Sequence, residues 1–278
     1  VTEPTIPVRV FERAATEAES AKHIVSTPQT EDPAYKLAFQ DMDFLLREEL
    51  RPVRFQLELL KPELLLDKAK IGSMMVFYGS ARIPEPGVNS VHPDPEVAAS
   101  LEAKSKYYDE ARKLAELASA TPRDADGCRH FVVCSGGGPS IMEAANRGAQ
   151  DVGAESVGLN IVLPHEQAPN AYVTPGLSFQ FHYFALRKMH FLLRARAVAV
   201  FPGGFGTFDE TFELLTLIQT GKIKPMPVLM FGGEFWRRVV DFDALAAEGV
   251  ISAKDINLMT FVESAEEAWK VVQDFYAK

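Results

Sequence analysis

Two textures follow one another along the 278-residue chain. From Asp32 to about Ala69, Leu37, Phe44, Leu45, Leu50, Phe55, Leu57, Leu60 and Leu64 recur among charged positions. That is a helical periodicity, and Pro52 and Pro62 predict breaks in it. Beyond it, short β-rich apolar runs alternate with longer amphipathic stretches. Residues 74–78, 131–134, 156–162, 197–201, 228–231 and 258–262 read as strands. Between them, Val97, Leu101, Tyr108, Ala111, Ala115 and Ala118 mark one face of a long helix, and residues 139–149, 182–193, 207–220, 235–247 and 265–276 predict further helices. Proline-bearing stretches at 83–95 and 164–175 read as loops. Such alternation predicts an α/β fold, a doubly wound parallel sheet with helices on both faces. The expected organisation is an N-terminal helical extension over residues 1–70 and one α/β domain over residues 71–278.

Composition narrows the class. Hydrophobic residues make up 47% and charged residues 24%, which excludes disordered and collagenous chains, and nowhere do 18 apolar residues run together. No membrane partner is expected. The formal net charge of −9 argues against a nucleic-acid backbone as the main partner. Cys128 and Cys134 are too few for a disulfide framework and are not spaced as CxxC, and the first residues hold no apolar export core, so the expected setting is cytoplasmic. The six histidines are scattered and no HExxH occurs, so no metal site is expected; a Gly-x-Ser-x-Gly nucleophile turn is also absent.

Open parallel sheets bind ligands outside the carboxyl ends of their strands, where loops lead into helix N-termini. Three such turns stand out. The first, Phe201-Pro202-Gly203-Gly204-Phe205-Gly206-Thr207-Phe208-Asp209-Glu210, opens a helix whose expected buried stripe is Phe208, Phe212, Leu215 and Ile218. Its glycines leave backbone amides accessible at the positive end of a helix, a cradle suited to phosphate. The competing reading is an ordinary capping box, Thr207 with Glu210 three residues on. The turn lacks the Lys-Ser/Thr of a P-loop and the last glycine of a dinucleotide fingerprint. The second turn, Cys134-Ser135-Gly136-Gly137-Gly138-Pro139-Ser140, places Pro139 at the first position of its helix and serves either ligand contact or close strand–helix packing. The third, Tyr78-Gly79-Ser80-Ala81-Arg82, brings a hydroxyl and a guanidinium to the end of the first strand. Before the main loop, Arg187 and Arg194 fall on one helical face, which reads most simply as a solvated basic surface.

Taken together, Arg187-Lys188, then Pro202 fifteen positions after Arg187, then Pro-Gly-Gly-Phe-Gly-Thr-Phe-Asp-Glu, resemble the signature of the Lonely Guy family of nucleoside-5′-monophosphate phosphoribohydrolases. The resemblance runs from about Ser73 to Val262. In Gly-Gly-Gly-Pro-Ser-Ile-Met-Glu-Ala-Ala-Asn-Arg-Gly-Ala (136–149) it is closest to the longer bacterial branch. It implies a Rossmann-like fold, no cofactor, and hydrolysis of the N-glycosidic bond of AMP or a cytokinin riboside monophosphate to free base and ribose 5-phosphate. By position, Arg187 and Glu210 become the catalytic pair; Gly203, Gly204, Phe205, Gly206 and Thr207 the phosphate loop; and Lys188, Thr216 and Glu166 further substrate contacts. Ser80, Gly136, Gly137 and Gly138 join the substrate-binding set. Phe184-Ala185 replaces the plant Met-His-x-Arg-Lys beginning, which weakens the case for a cytokinin pocket. The resemblance further implies a homodimer, with hexamers among longer members.

Many relatives carry a lysine decarboxylase label, but no lysine here sits in a recognisable pyridoxal phosphate motif. The alternative from another class is a non-catalytic protein that binds a nucleotide or a phosphorylated cofactor on the same fold.

Overall fold

Across residues 11–164 and 168–277, which the computed structural model describes, seven strands form one sheet. These are β1 (Met74–Tyr78), β2 (Val132–Ser135), β3 (Val157–Ile161), β4 (Ser178–Phe181), β5 (Ala195–Val200), β6 (Val228–Phe231) and β7 (Thr260–Val262). Their order is β4-β3-β2-β1-β5-β6-β7 and every pairing is parallel. This is the Rossmann-like, doubly wound arrangement, with the strand order reversing direction between β1 and β5. Every residue of β1, β2, β3 and β6 is buried, as expected of strands covered on both faces.

The chain divides into two compact units between Leu57 and Glu58. In the first, α1 (Ala14–Ser20), α2 (Pro28–Glu31) and α3 (Met42–Leu45) are short and bury no residue. The division falls inside α4 (Arg51–Lys68). The second unit holds the sheet with α5 (Pro95–Glu102), α6 (Lys106–Ser119), α7 (Ile141–Asp151), α8 (Phe184–Leu193), α9 (Phe205–Gln219), α10 (Gly233–Val239), α11 (Phe242–Ala247) and α12 (Ala265–Tyr276). On one face Phe77, Phe201 and Phe231 stack in sequence across the sheet, at centroid separations of 6.4 and 4.2 Å, within a core shared with α6, α7 and α12. On the other, Tyr78 meets Phe191 of α8 edge-on at 5.2 Å.

Several local expectations change. The helix predicted to break at Pro52 and Pro62 is continuous, with Pro62 inside it. The long helix through Val97 and Ala118 is two helices, α5 and α6, separated by a tight turn at 103–105 that lets the adjacent Tyr107 and Tyr108 both be buried. The helix expected over 235–247 is likewise split, Asp241 capping α11 through Ala244 N at 2.8 Å. Strand β4 lies at the edge of the sheet, where the sequence suggested nothing regular; Phe179 and Phe181 alternate inward with Gln180 outward. Pro139 precedes α7 rather than opening it, because Ser140 adopts φ 65° before the helix starts at Ile141.

Candidate active site

All three unusual turns leave neighbouring strands, β2, β1 and β5, so the topology gathers them at one end of the sheet. Ser80 N donates to the Pro202 carbonyl at 3.0 Å, which ties the first-strand turn to the glycine loop. Between them lies a cleft of about 620 Å³ whose walls include Ser80, Arg82, Met142, Arg187, Thr207 and Glu210, with the backbone of residues 204–206. A larger cavity of about 800 Å³ lies between the far sides of α8 and α9, but its walls are mainly apolar and it includes none of the three turns.

The glycine loop does not form a capping box. Gly204 is the N-cap of α9 and no side chain caps the helix; Thr207 is already within the first turn, and Glu210 points to Arg187 instead. The first-turn amides therefore face the cleft without a side-chain acceptor. Gly203 is required by packing, since a Cβ there would overlap the Thr207 hydroxyl, whereas a Cβ at Gly204 or Gly206 would meet only open space. Neither of those two has a positive φ, so the fold itself does not demand glycine there. The buried stripe of α9 is Thr207, Thr211, Leu214 and Ile218; Ile218 is buried as expected, whereas Phe208 and Leu215 are half-buried and Phe212 exposed, each one residue beyond a buried position. Phe205 stands on the lip of the cleft, 97% exposed.

Arg187 is the centre of the site. Its Nε donates to the Leu159 carbonyl at 2.7 Å, its Nη1 reaches Glu210 Oε1 at 3.1 Å, and its guanidinium lies 5.0 Å from the Phe191 ring centroid. The fork thus joins β3 to α9. Burial pushes the Glu210 carboxyl up to about 7; Arg187 opposes the rise, and the nearby Asp209 charge adds to it. Lys188 leans away, to Asp209 at 3.2 Å and Glu213 at 3.1 Å. Burial works against its charge, yet those hydrogen bonds prevail and hold it above the ordinary lysine range. The basic face expected on this helix is not solvated: Arg194 is also mostly buried and bonds Glu63, Asp67 and the Ile71 carbonyl.

Residues 142–272 match the protein-family model described as "Possible lysine decarboxylase". Two curated relatives from Arabidopsis thaliana are named cytokinin riboside 5′-monophosphate phosphoribohydrolases. LOG2 is 24% identical over 63% of this chain and 79% of its own, and LOG4 is 24% identical over 76% and 86%. Over these stretches the chain is similar to the Lonely Guy phosphoribohydrolases. Among solved structures, the molybdenum cofactor binding protein from Rippkaea orientalis covers 73% of this chain and 98% of its own, with 16% identity and a TM-score of 0.45.

Of the positions singled out in the sequence, Ser80, Gly204, Phe205, Gly206, Thr207, Arg187 and Glu210 line one cleft. Gly136 lies directly against Arg187, where a Cβ would come 2.7 Å from Nη2, and Met142 covers Gly136 and Gly138. Thr216 lies further along α9, its hydroxyl donating to the Phe212 carbonyl at 2.7 Å, and does not line the cleft. Glu166 lies outside the described residues.

Two supports were not visible in the sequence. A buried polar network shapes the second turn: Ser135 Oγ donates to Asn146 Oδ1 at 2.7 Å and accepts from Gly137 N, Asn146 Nδ2 donates to Ser156 Oγ, and Asn170 donates to the carbonyls of Gly137 and Gly138. Gly137 itself has φ 72° and its Cβ would collide with Asn160, so the turn needs glycine twice over. The second support is α4. Its Glu58 carboxylate accepts from His182 N and Tyr183 N, at the start of α8, and its Glu63 and Asp67 hold Arg194 beyond the end of α8. The helix that carries Arg187 and Lys188 is clamped at both ends.

Proposed function

We propose that the protein is a nucleoside 5′-monophosphate phosphoribohydrolase, cleaving the N-glycosidic bond of AMP or a cytokinin riboside monophosphate. The observation that carries the reading is the pairing, in one cleft, of an uncapped glycine-rich helix start with Arg187 and a carboxyl group, Glu210, pushed up to about 7. The phosphate would lie on the amides of Phe205, Gly206 and Thr207, where the helix dipole favours negative charge.

As the C1′–N bond breaks, positive charge builds on the ribose ring, and an ionised Glu210 stabilises it. With a pKa near neutrality, Glu210 also takes the proton of the attacking water as the new C1′–O bond forms. The departing base gains electrons; Arg187 donates a hydrogen bond to it, and the proton that Glu210 took from the water passes through solvent to the released base, leaving ribose 5-phosphate. Arginine acts here as a fixed charge, not as a proton donor. A decarboxylase reading finds no support in Lys188, whose ammonium is held charged between Asp209 and Glu213, the opposite of what Schiff-base formation needs.

The test is incubation of the purified protein with AMP and cytokinin riboside monophosphates, following free base and ribose 5-phosphate. Release from at least one of them is expected. Binding of monophosphates with no release from any purine or pyrimidine member would replace this reading by a non-catalytic nucleotide-binding one.

A further inference from the structure

The cations around the cleft are not equally free. Arg187 is engaged by Glu210 and the Leu159 carbonyl, and Lys188 by Asp209 and Glu213. Arg82 lines the same cleft, is exposed, and among the described residues has no carboxylate within ion-pair distance. Its backbone, in contrast, is fixed. Arg82 N donates to Ser80 Oγ at 3.0 Å, Ser80 N donates to the Pro202 carbonyl at 3.0 Å, and the next residue, Ile83, is buried with its carbonyl accepting from Ser140 Oγ at 2.5 Å. A free guanidinium is thus mounted on an anchored turn, hydrogen-bonded to the loop that opens α9.

Charge balance gives this arrangement a purpose. A phosphate monoester carries close to two negative charges near neutral pH. Within the cleft, the charge of Arg187 is already matched by Glu210 once that group ionises, so uncharged amides alone would face the dianion. We propose that Arg82 is the charge partner of the substrate's 5′-phosphate, and that it makes the site select phosphorylated ribosides over free ones. This rests on the phosphoribohydrolase reading, because it assumes that the phosphate occupies the amides of residues 205–207. Guanidinium–phosphate pairs are bidentate and charge-assisted, so the group contributes both affinity and a fixed orientation.

The experiment is calorimetric titration of the intact protein with ribose 5-phosphate, and with ribose as control, for the wild type, Arg82→Ala and Arg82→Lys. Because the side chain is exposed and makes no ion pair among the described residues, melting temperatures should agree among all three. Expected is a roughly 10- to 100-fold weaker affinity of Arg82→Ala for ribose 5-phosphate, with Arg82→Lys intermediate because it keeps the charge but loses the fork. The KM for AMP should rise by a similar factor while kcat stays within a few-fold. Binding of ribose 5-phosphate by Arg82→Ala within twofold of wild type, or a fall in kcat with KM unchanged, would overturn the assignment. If the wild type cleaves no monophosphate yet Arg82→Ala still loses ribose 5-phosphate affinity, the hydrolase reading fails and the role of Arg82 stands. If the wild type cleaves AMP and Arg82→Ala behaves like it, the reverse holds.

Discussion

His190 Nε2 lies 3.3 Å from the backbone carbonyl of Glu58, the carbonyl that Pro62, four residues on and lacking an N–H, leaves without its helical donor. A side chain from α8 thereby completes the hydrogen bonding of α4. Since a carbonyl can only accept, the proton sits on Nε2. His190 is 1% exposed, and burial lowers its pKa despite the opposing Glu63 charge, so it performs this task as a neutral imidazole.

Replacing the imidazole by a hydrocarbon of similar size orphans that carbonyl. His190→Leu should cost about 1–3 kcal/mol in urea denaturation. Adding Pro62→Ala returns an amide to the carbonyl, so the double variant should recover about 1 kcal/mol more than Pro62→Ala adds to the wild type. Strict additivity in this cycle would contradict the proposed exchange of donors.

On the proposed mechanism, stability and activity should respond to the Glu210 titration in opposite directions. Its carboxyl is raised from an ordinary 4.5 to about 7, so the folded protein holds a proton that the unfolded chain has already lost. Folding stability therefore falls as pH rises through that window. Glu210→Gln removes the effect: its melting temperature should exceed that of the wild type at pH 8 by more than it does at pH 4, with a difference on the order of 3 kcal/mol at most. If the carboxylate is the catalytic form, wild-type kcat/KM should climb with an apparent pKa near 7, and Glu210→Gln should lose at least about 100-fold. An activity profile flat from pH 5.5 to 8.5 would remove Glu210 from the chemistry.

The glycine loop holds one packed glycine, Gly203, and two that face open space, Gly204 and Gly206. Gly203→Ala drives a methyl group into Thr207 and should lower the melting temperature. Gly206→Ala, within the first turn of α9 and facing open space, should raise stability by about 0.5–1 kcal/mol through helix propensity while raising the KM for a nucleoside monophosphate. Thermal melts and steady-state kinetics on the two variants decide the matter; equal KM values for Gly206→Ala and wild type would show that no ligand approaches this backbone.

Arg187→Lys keeps a positive charge but cannot bond Leu159 and Glu210 at once. A loss of about 100-fold or more in kcat is expected, with a smaller change in KM, if the fork acts, as proposed, on charge that develops only as the base departs.

The central sheet was legible because strands buried on both faces are predominantly apolar, as in Met74–Tyr78. The glycine turns were legible for the same local reason. What stayed hidden depends on distant partners. The donor that stands in for the amide Pro62 lacks in α4 is His190, 128 positions away. The phase of α9 is set by Thr207 and Thr211, polar residues that turn inward, Thr211 spending its hydroxyl on the Thr207 carbonyl at 2.6 Å; a hydrophobicity count favoured the phenylalanines beside them. Ser135, Asn146, Ser156 and Asn170 carry no pattern at all until the fold places them together. The edge strand β4 spans only four residues, too short for its alternation to stand out beside a proline-bearing loop.

Met142 closes one wall of the cleft, its thioether folded over Gly136 and Gly138. A methionine side chain rotates about three bonds, yields to the shape pressed against it, and offers only a weak acceptor. Such a wall moulds itself to a flat ring without distinguishing one hydrogen-bonding edge from another. If, as the proposed function has it, a nucleobase rests on this wall, discrimination would fall to rigid elements elsewhere, and closely related rings would be admitted on nearly equal terms.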